Sequence, residues 1–193
     1  MNSKRILDFS LSLLGLALFA PLLLGIMFLI ILEDGRPVLF SQQRVGRDLR
    51  PFICMKFRSM HNGEITRVGR WIRKTGLDEL LQFINVLQGT MSIVGPRPLT
   101  RQDAERLGLY DVRLPRYRLR PGITGMAQLY GGRGIRVTRF LERTYIDRQS
   151  ICLDLIIVIL SFLVNIFGKP RVGNWLVWLR KMKRVENSIW LPG

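Results

Sequence analysis

Histidine appears once in these 193 residues, as His61, and cysteine twice, as Cys54 and Cys152. Neither thiol has a second thiol or a histidine at ligand spacing, which excludes a structural zinc site and a disulfide framework. No P-loop, HExxH, GxSxG or CxxC pattern occurs, so the chemistries carried by those patterns have no anchor here. Acidic residues are scarce as well. Fourteen Asp and Glu stand against 30 Lys and Arg, giving a formal net charge of +16 and a pI near 11.2. A chain this basic needs an anionic partner: nucleic acid, anionic lipid or a phosphorylated substrate. Hydrophobic residues make up 48% and mean hydropathy is +0.16, too oily for a typical soluble nucleic-acid binder. Lone thiols, basic charge and apolar content together point to the cytoplasmic face of a membrane. The length suits one domain with a workable core, and internal repeats are absent.

Against that basic background one adjacent acidic pair stands out, Asp78–Glu79, at the centre of Arg67–Pro98. Leu80, Leu81, Ile84 and Leu87 recur at helical spacing, so the pattern predicts an amphipathic helix over Leu77–Leu87. Thr75 lies three residues before Asp78, and T-x-x-D ahead of an apolar run is an N-terminal helix signal. Both carboxylates then fall in the first turn, where the helix dipole favours negative charge. The plain reading of an isolated T-x-x-D-E is a cap. Here, however, Arg67, Arg70, Arg73 and Lys74 precede the pair, and Arg97 follows on the rigid turn Gly95–Pro98. A carboxylate ringed by cations is expected to stay ionised and to be able to attack an electron-poor phosphorus. Its neighbour can hold a hard cation such as Mg²⁺ together with substrate phosphate oxygens.

Phe9–Leu32 carries no charge, and its roughly 24 residues are enough for one spanning helix. Lys4 and Arg5 fit the start of a signal peptide, but the run is too long and no A-x-A site follows. A simple transmembrane anchor is the stronger rival. Against it, Pro21 sits near the middle, between Gly15 and Gly25, where a proline kinks a helix. Basic residues also lie on both flanks: Lys4 and Arg5 before the run, Arg36, Arg44, Arg47 and Arg50 after it. A helix–break–helix hairpin that enters and leaves by one leaflet satisfies both flanks; a straight span satisfies one. Asp8 is placed to pair with Lys4 or Arg5.

Pro37–Gln43 and Phe52–Phe57 are β-prone runs around a polar turn, which predicts a β-hairpin. Lys56 and Arg58, two apart at its end, share a face. His61–Thr66 reads as a linker. Leu99–Leu119 reads as a solvated, arginine-rich helix and then a loop broken at Pro115, its charges on the surface. The glycines and proline of Arg120–Gln128 predict a tight loop whose amides cradle an anion, and Gly131–Gly134 adds a second basic loop around Arg133. A helix is expected over Arg139–Ser150, with Asp147 in a surface ion pair. Ile151–Phe167 is apolar but interrupted by Asp154, Ser161 and Asn165, so it reads as packed partly in protein and partly in the interface. Trp175–Arg184 pairs tryptophans with a basic cluster, as interfacial helices do.

Arg73–Pro98, RKTGLDELLQFINVLQGTMSIVGPRP, resembles the core motif of the bacterial sugar transferase family, the monotopic polyprenyl-phosphate phosphoglycosyl transferases. Three further blocks resemble it in the family's order: the amino-terminal KRxxD with its apolar run, FSQQRVG with MKFRSM (Phe40–Met60), and RPGITGMAQ (Arg120–Gln128). The resemblance implies transfer of a phospho-sugar from a UDP-sugar to a polyprenyl (undecaprenyl) phosphate in the bacterial inner membrane, at its cytoplasmic face. It also implies that Asp78 is the nucleophile and that Glu79 assists with Mg²⁺. The expected substrate-binding residues are Arg44, Lys56, Arg58, Arg97, Arg120, Gln128 and Arg133. Three departures stand out: Ala20-Pro21 replaces the family's Ser-Pro, Glu64 stands where relatives carry arginine, and Thr90 replaces an acidic residue.

The expected fold is mostly α with a small β-hairpin: a monotopic membrane protein with a re-entrant hairpin at residues 1–35, a cytoplasmic catalytic region at 36–150, and apolar and amphipathic interface helices at 151–193. Expected partners are the UDP-sugar, the polyprenyl phosphate and membrane lipids, with no nucleic acid; a homo-oligomer is left open. The rival function is a non-catalytic, membrane-anchored basic scaffold binding anionic lipid or nucleic acid.

Overall fold

The computed structural model describes residues 3–130 and 134–167, so Arg133 and the Trp175–Arg184 cluster lie outside the described residues. The chain is mostly helical. Helix α1 (Ser3–Asp34) spans 32 residues with Pro21 inside it, and it is long and apolar enough to cross a membrane. The residues at Ala20-Pro21 are helical, so no loop separates two halves there; a proline removes one hydrogen bond and can bend a helix without ending it. Leu23, Ile26 and Ile30 of α1 are buried against Phe57, Ile72 and Leu81. Its other face leaves Leu13, Leu14, Leu18, Leu24, Phe28 and Leu32 exposed. Polar contacts fasten both ends to the body. Near the start, Asp8 accepts from Ser92 Oγ (2.8 Å) and the Ile93 amide (3.2 Å), and Lys4 donates to Asp154 (2.7 Å). At the far end, Glu33 accepts from the Arg67 and Val68 amides at 2.7 and 2.9 Å.

The predicted hairpin is present, with strands β1 (Leu39–Val45) and β2 (Pro51–Phe57) paired antiparallel and Phe40 opposite Lys56. The free edge of β2 meets a side chain where a third strand would lie: Asn85 Nδ2 donates to the Ile53 carbonyl (2.7 Å) and Asn85 Oδ1 accepts from the Met55 amide (3.0 Å). His61–Thr66 is not a plain linker. Strands β3 (Met60–His61) and β4 (Glu64–Ile65) pair there across Asn62-Gly63, with φ of 47° and 86°. An Asn-Gly turn with two positive φ values is the favoured tight hairpin connection, a signal the sequence did carry.

Helix α2 (Arg67–Thr75) is capped by Thr66, whose Oγ accepts from the Gly69 amide, and it ends at Gly76 with φ 73°. Thr75 therefore closes α2, its hydroxyl donating to the Trp71 carbonyl (2.9 Å), and does not cap the next helix. The single helix expected over Leu77–Leu87 is instead a 3₁₀ turn (Leu77–Glu79) followed by α3 (Gln82–Gln88). Gly76 in the left-handed region redirects the chain between two helices, where a threonine cap would have begun one.

Strand β5 (Ser92–Val94) pairs in parallel with β6 (Gly122–Thr124). This corrects the anion-cradle reading of Arg120–Gln128. The Gly122 amide donates to the Pro96 carbonyl, and the Gly95 amide donates to the Thr124 carbonyl. A Cβ on Gly122 would collide with the Gly95 amide, so the glycines serve close backbone approach. After α4 (Arg101–Arg106), a 3₁₀ turn (Pro115–Arg118) and α5 (Met126–Leu129), helices α6 (Ile135–Asp147) and α7 (Ile151–Phe167) complete the body. Phe52, Val86, Met91, Val94, Tyr145 and Ile157 form its main core. Among the described residues Asp147 pairs only with Arg143, exposed and at 3.7 Å, as expected.

Candidate active site

Asp78 sits in the 3₁₀ turn between α2 and α3 and is 9% exposed. Glu79 beside it is half-buried, and its Oε1 accepts from Lys56 Nζ of β2 at 2.5 Å. The hairpin and the turn thus meet at an Asp–Glu–Lys cluster. Burial pushes the Asp78 carboxyl above its ordinary range, and the Glu79 charge pushes it further; Lys56 and Arg73 pull the other way. The expected ring of cations therefore does not dominate. Arg67, Arg70, Arg73 and Lys74 are exposed, and Arg73 spends Nε on Ser59 Oγ (2.9 Å). Desolvation decides the balance, because removing a carboxylate from water costs more than partly screened cations return.

Cys54, in the middle of β2, marks where the other basic residues gather. Burial raises its thiol pKa, Lys56, Arg44 and Arg97 lower it, and Glu79 raises it again. Arg44 donates through Nη1 to the Pro98 carbonyl (3.1 Å) and through Nη2 to Gln42 Oε1 (2.5 Å), tying β1 to the Gly95–Pro98 turn. Arg97 projects an exposed side chain from that turn. It lines a small, open cleft with Val45, Gly46, Leu99, Arg116 and Tyr117, and neither Asp78 nor Glu79 lines that cleft.

The remaining expected residues lie apart from this cluster or play other parts. Arg58 pairs with Asp34 (2.9 Å) and donates to the Asp34 and Gly35 carbonyls, holding the end of α1. Arg120 is desolvated, which lowers its pKa, and Arg5 and Arg47 lower it further. The Gln128 amide is enclosed, with no hydrogen-bond partner for either end among the described residues. Asn85 and Arg116 were not expected from sequence. Asn85 offered no pattern, and Arg116, expected on the surface, is 7% exposed.

The donor set fits a hard divalent cation in one specific way. Among the described residues no group of three or more His, Cys, Asp or Glu converges. Two adjacent carboxylates, one oxygen of which is already held by Lys56, suit Mg²⁺, which binds through one or two carboxylates and completes its shell with water and substrate phosphates.

The profile of the family described as bacterial sugar transferase matches residues 1–168. An undecaprenyl-phosphate glucose phosphotransferase of Komagataeibacter xylinus is 40% identical over 195 residues, 88% of this chain and 37% of that protein. A UDP-glucose:undecaprenyl-phosphate glucose-1-phosphate transferase of Caulobacter vibrioides is 42% identical, over 81% of this chain and 67% of its own length. A UDP-N-acetylgalactosamine-undecaprenyl-phosphate N-acetylgalactosaminephosphotransferase of Aeromonas hydrophila is 39% identical, over 80% of this chain and 41% of its own. The chain thus spans about two fifths of the first and third of these relatives.

Proposed function

The chain belongs to the bacterial sugar transferase family, and from that premise we propose that it transfers a phospho-sugar from a UDP-sugar to a polyprenyl phosphate, releasing UMP. The observation that carries this reading is the buried Asp78 beside the Glu79–Lys56 pair, at the junction of the hairpin and the α2–α3 turn. In the first step an Asp78 carboxylate oxygen attacks the β-phosphorus of the UDP-sugar. The bond from that phosphorus to the bridging oxygen breaks, and UMP leaves with the electron pair. In the second step a phosphate oxygen of the polyprenyl phosphate attacks the same phosphorus, and the acyl-phosphate bond breaks to return the Asp78 carboxylate. Partial burial suits the nucleophile, because a desolvated carboxylate is less well stabilised by water. Lys56 holds Glu79 and offsets the paired negative charge, while Arg97 on its fixed turn clamps phosphate oxygens. Glu79, with Asp78, would hold Mg²⁺, which when bound neutralises diphosphate charge.

The reaction joins a soluble donor to a lipid acceptor, so the site belongs at headgroup level on the cytoplasmic face of the inner membrane. The exposed apolar face of α1 supports that placement. Both ends of α1 are fastened to one body through Asp8, Lys4, Glu33 and Asp34, which supports entry and exit by a single leaflet. The donor class rests on the relatives' names, which include UDP-glucose and UDP-N-acetylgalactosamine.

The test is UMP release by the purified protein given UDP-sugars, polyprenyl phosphate and Mg²⁺, for the parent and for Asp78→Asn. The variant should lose about 10⁴-fold or more, the scale of a missing covalent nucleophile. Near-parental release would refute the covalent route.

A further inference from the structure

Arg116 and Glu142 form a buried ion pair, 7% and 5% exposed, that the reaction as described leaves unused. Arg116 lies in the 3₁₀ turn Pro115–Arg118 and Glu142 on α6; Arg116 Nη2 is 3.4 Å from Glu142 Oε1. The same Nη2 donates to the Arg97 carbonyl at 2.8 Å. Burial raises the Glu142 carboxyl pKa, while the Arg116 charge beside it lowers it. The pair therefore reaches Arg97 through Arg116, which holds its carbonyl while Glu142 stands behind the same guanidinium nitrogen.

Two observations argue that the pair is not there for stability. Arg116 Nη1 and Glu142 Oε1 have no hydrogen-bond partner among the described residues, so the bridge leaves polar capacity unsatisfied. Buried ion pairs with incomplete hydrogen bonding often stabilise a fold no better than apolar residues of similar volume. The turn they touch is fixed at every residue. Gly95 donates to the Thr124 carbonyl, Pro96 accepts from the Gly122 amide, and Pro98 accepts from Arg44. Arg97 completes the series through its carbonyl, which accepts from Arg116, and this leaves its exposed side chain the free part of the turn. A cation whose backbone is immobilised loses little freedom on meeting an anion, and this is what a preorganised phosphate clamp requires.

We propose that the buried Arg116–Glu142 pair is a positioning device for the transfer reaction: it grips the main chain of Arg97 and so aims its guanidinium at the phosphates of the sugar nucleotide. This rests on the reading of Arg97 as a phosphate clamp, and the test separates the two. Arg116 and Glu142 act through Arg97: Arg116 holds its carbonyl, and Glu142 acts on it through Arg116.

The experiment is a double-mutant cycle scored by kcat/KM for the UDP-sugar at saturating polyprenyl phosphate, with the thermal midpoint of each protein recorded. Glu142→Gln should lower kcat/KM roughly ten- to a hundredfold, the range by which misplacing a group affects rate. The KM for polyprenyl phosphate should not change. In an Arg97→Ala background the same Glu142→Gln change should cost nothing further. The paired replacement Arg116→Met with Glu142→Met fills the space with apolar side chains, and should show the same kinetic loss while keeping the parental midpoint. Either variant carries the test if the other fails to fold. If Arg97→Ala is severely impaired but Glu142→Gln costs an equal factor in both backgrounds, or the Met pair keeps parental kcat/KM, the positioning role is overturned and the clamp stands. If Arg97→Ala itself has parental kinetics, clamp and positioning fall together.

Discussion

Asn85 gives the sharpest quantitative handle on how the site is assembled. It is 1% exposed on α3, and its amide hydrogen-bonds the free edge of β2 at the Ile53 carbonyl and the Met55 amide. Those two backbone groups flank Cys54 and lie beside Lys56, so one side chain joins the helix that follows Asp78 to the strand that carries Lys56. Asn85→Ala leaves a donor and an acceptor unpaired, at about 1–3 kcal/mol each when buried. Ile53 is half exposed and water reaches that edge more easily than a deep core, which favours the lower half of the sum, about 2–4 kcal/mol. For a protein of this size that is roughly 5–15 °C in thermal midpoint. Thermal scans of parent and variant in the same detergent, by near-ultraviolet circular dichroism, measure it. Asn85→Asp should not rescue, because its carboxylate can accept from Met55 but faces the Ile53 carbonyl with another acceptor. A shift below about 2 °C for Asn85→Ala would refute the view that this amide stands in for a missing strand.

Three further outcomes follow from the site. The rate should fall on the acid side through a pKa above the ordinary aspartate range, because Asp78 must be ionised to attack and burial raises it; an acid limb at or below the ordinary value, read from kcat/KM against pH, would contradict the burial argument. The same raised pKa means the folded state holds that proton more tightly than the unfolded chain, so the folding advantage is full below the unfolded pKa and lost as pH rises through the folded one. Asp78→Asn should therefore unfold at a higher temperature than the parent at pH 7, an excess that shrinks toward pH 3 as the parental carboxyl becomes neutral. Glu79→Gln should raise the Mg²⁺ concentration needed for half-maximal rate, and superimposed Mg²⁺ titrations for the two proteins would assign Glu79 elsewhere. For topology, Ser3→Cys in a Cys54→Ala, Cys152→Ala background should be protected from an impermeant thiol reagent in intact cells; labelling from outside would make α1 a plain transmembrane anchor.

The sequence by itself determined what depends on neighbours along the chain. β-prone runs around a polar turn form β1 and β2, and an uncharged run with basic flanks forms α1. The adjacency of Asp78 and Glu79, with the ordered motifs around it, carried the resemblance to the bacterial sugar transferase family. Local signals also set the limits of that reading. Thr75 looked like a cap because T-x-x-D is a short pattern, yet Gly76 in the left-handed region turned the chain and gave the threonine to the preceding helix. What only the tertiary structure decided is which of many cations are buried or paired, and what each carboxylate experiences. Lys56 and Glu79 are 23 residues apart, Arg97 and Arg116 are 19 apart, and Asp8 and Ser92 are 84 apart. Burial and ion pairing are properties of the space around a side chain, and segments distant in sequence build that space. A basic chain offers arginine almost everywhere, so composition cannot separate Arg116, buried behind the turn, from Arg113, exposed on the surface. The Asp78 proton follows the same rule: the sequence surrounds it with positive charge, but folding removes it from water, and desolvation is the larger effect.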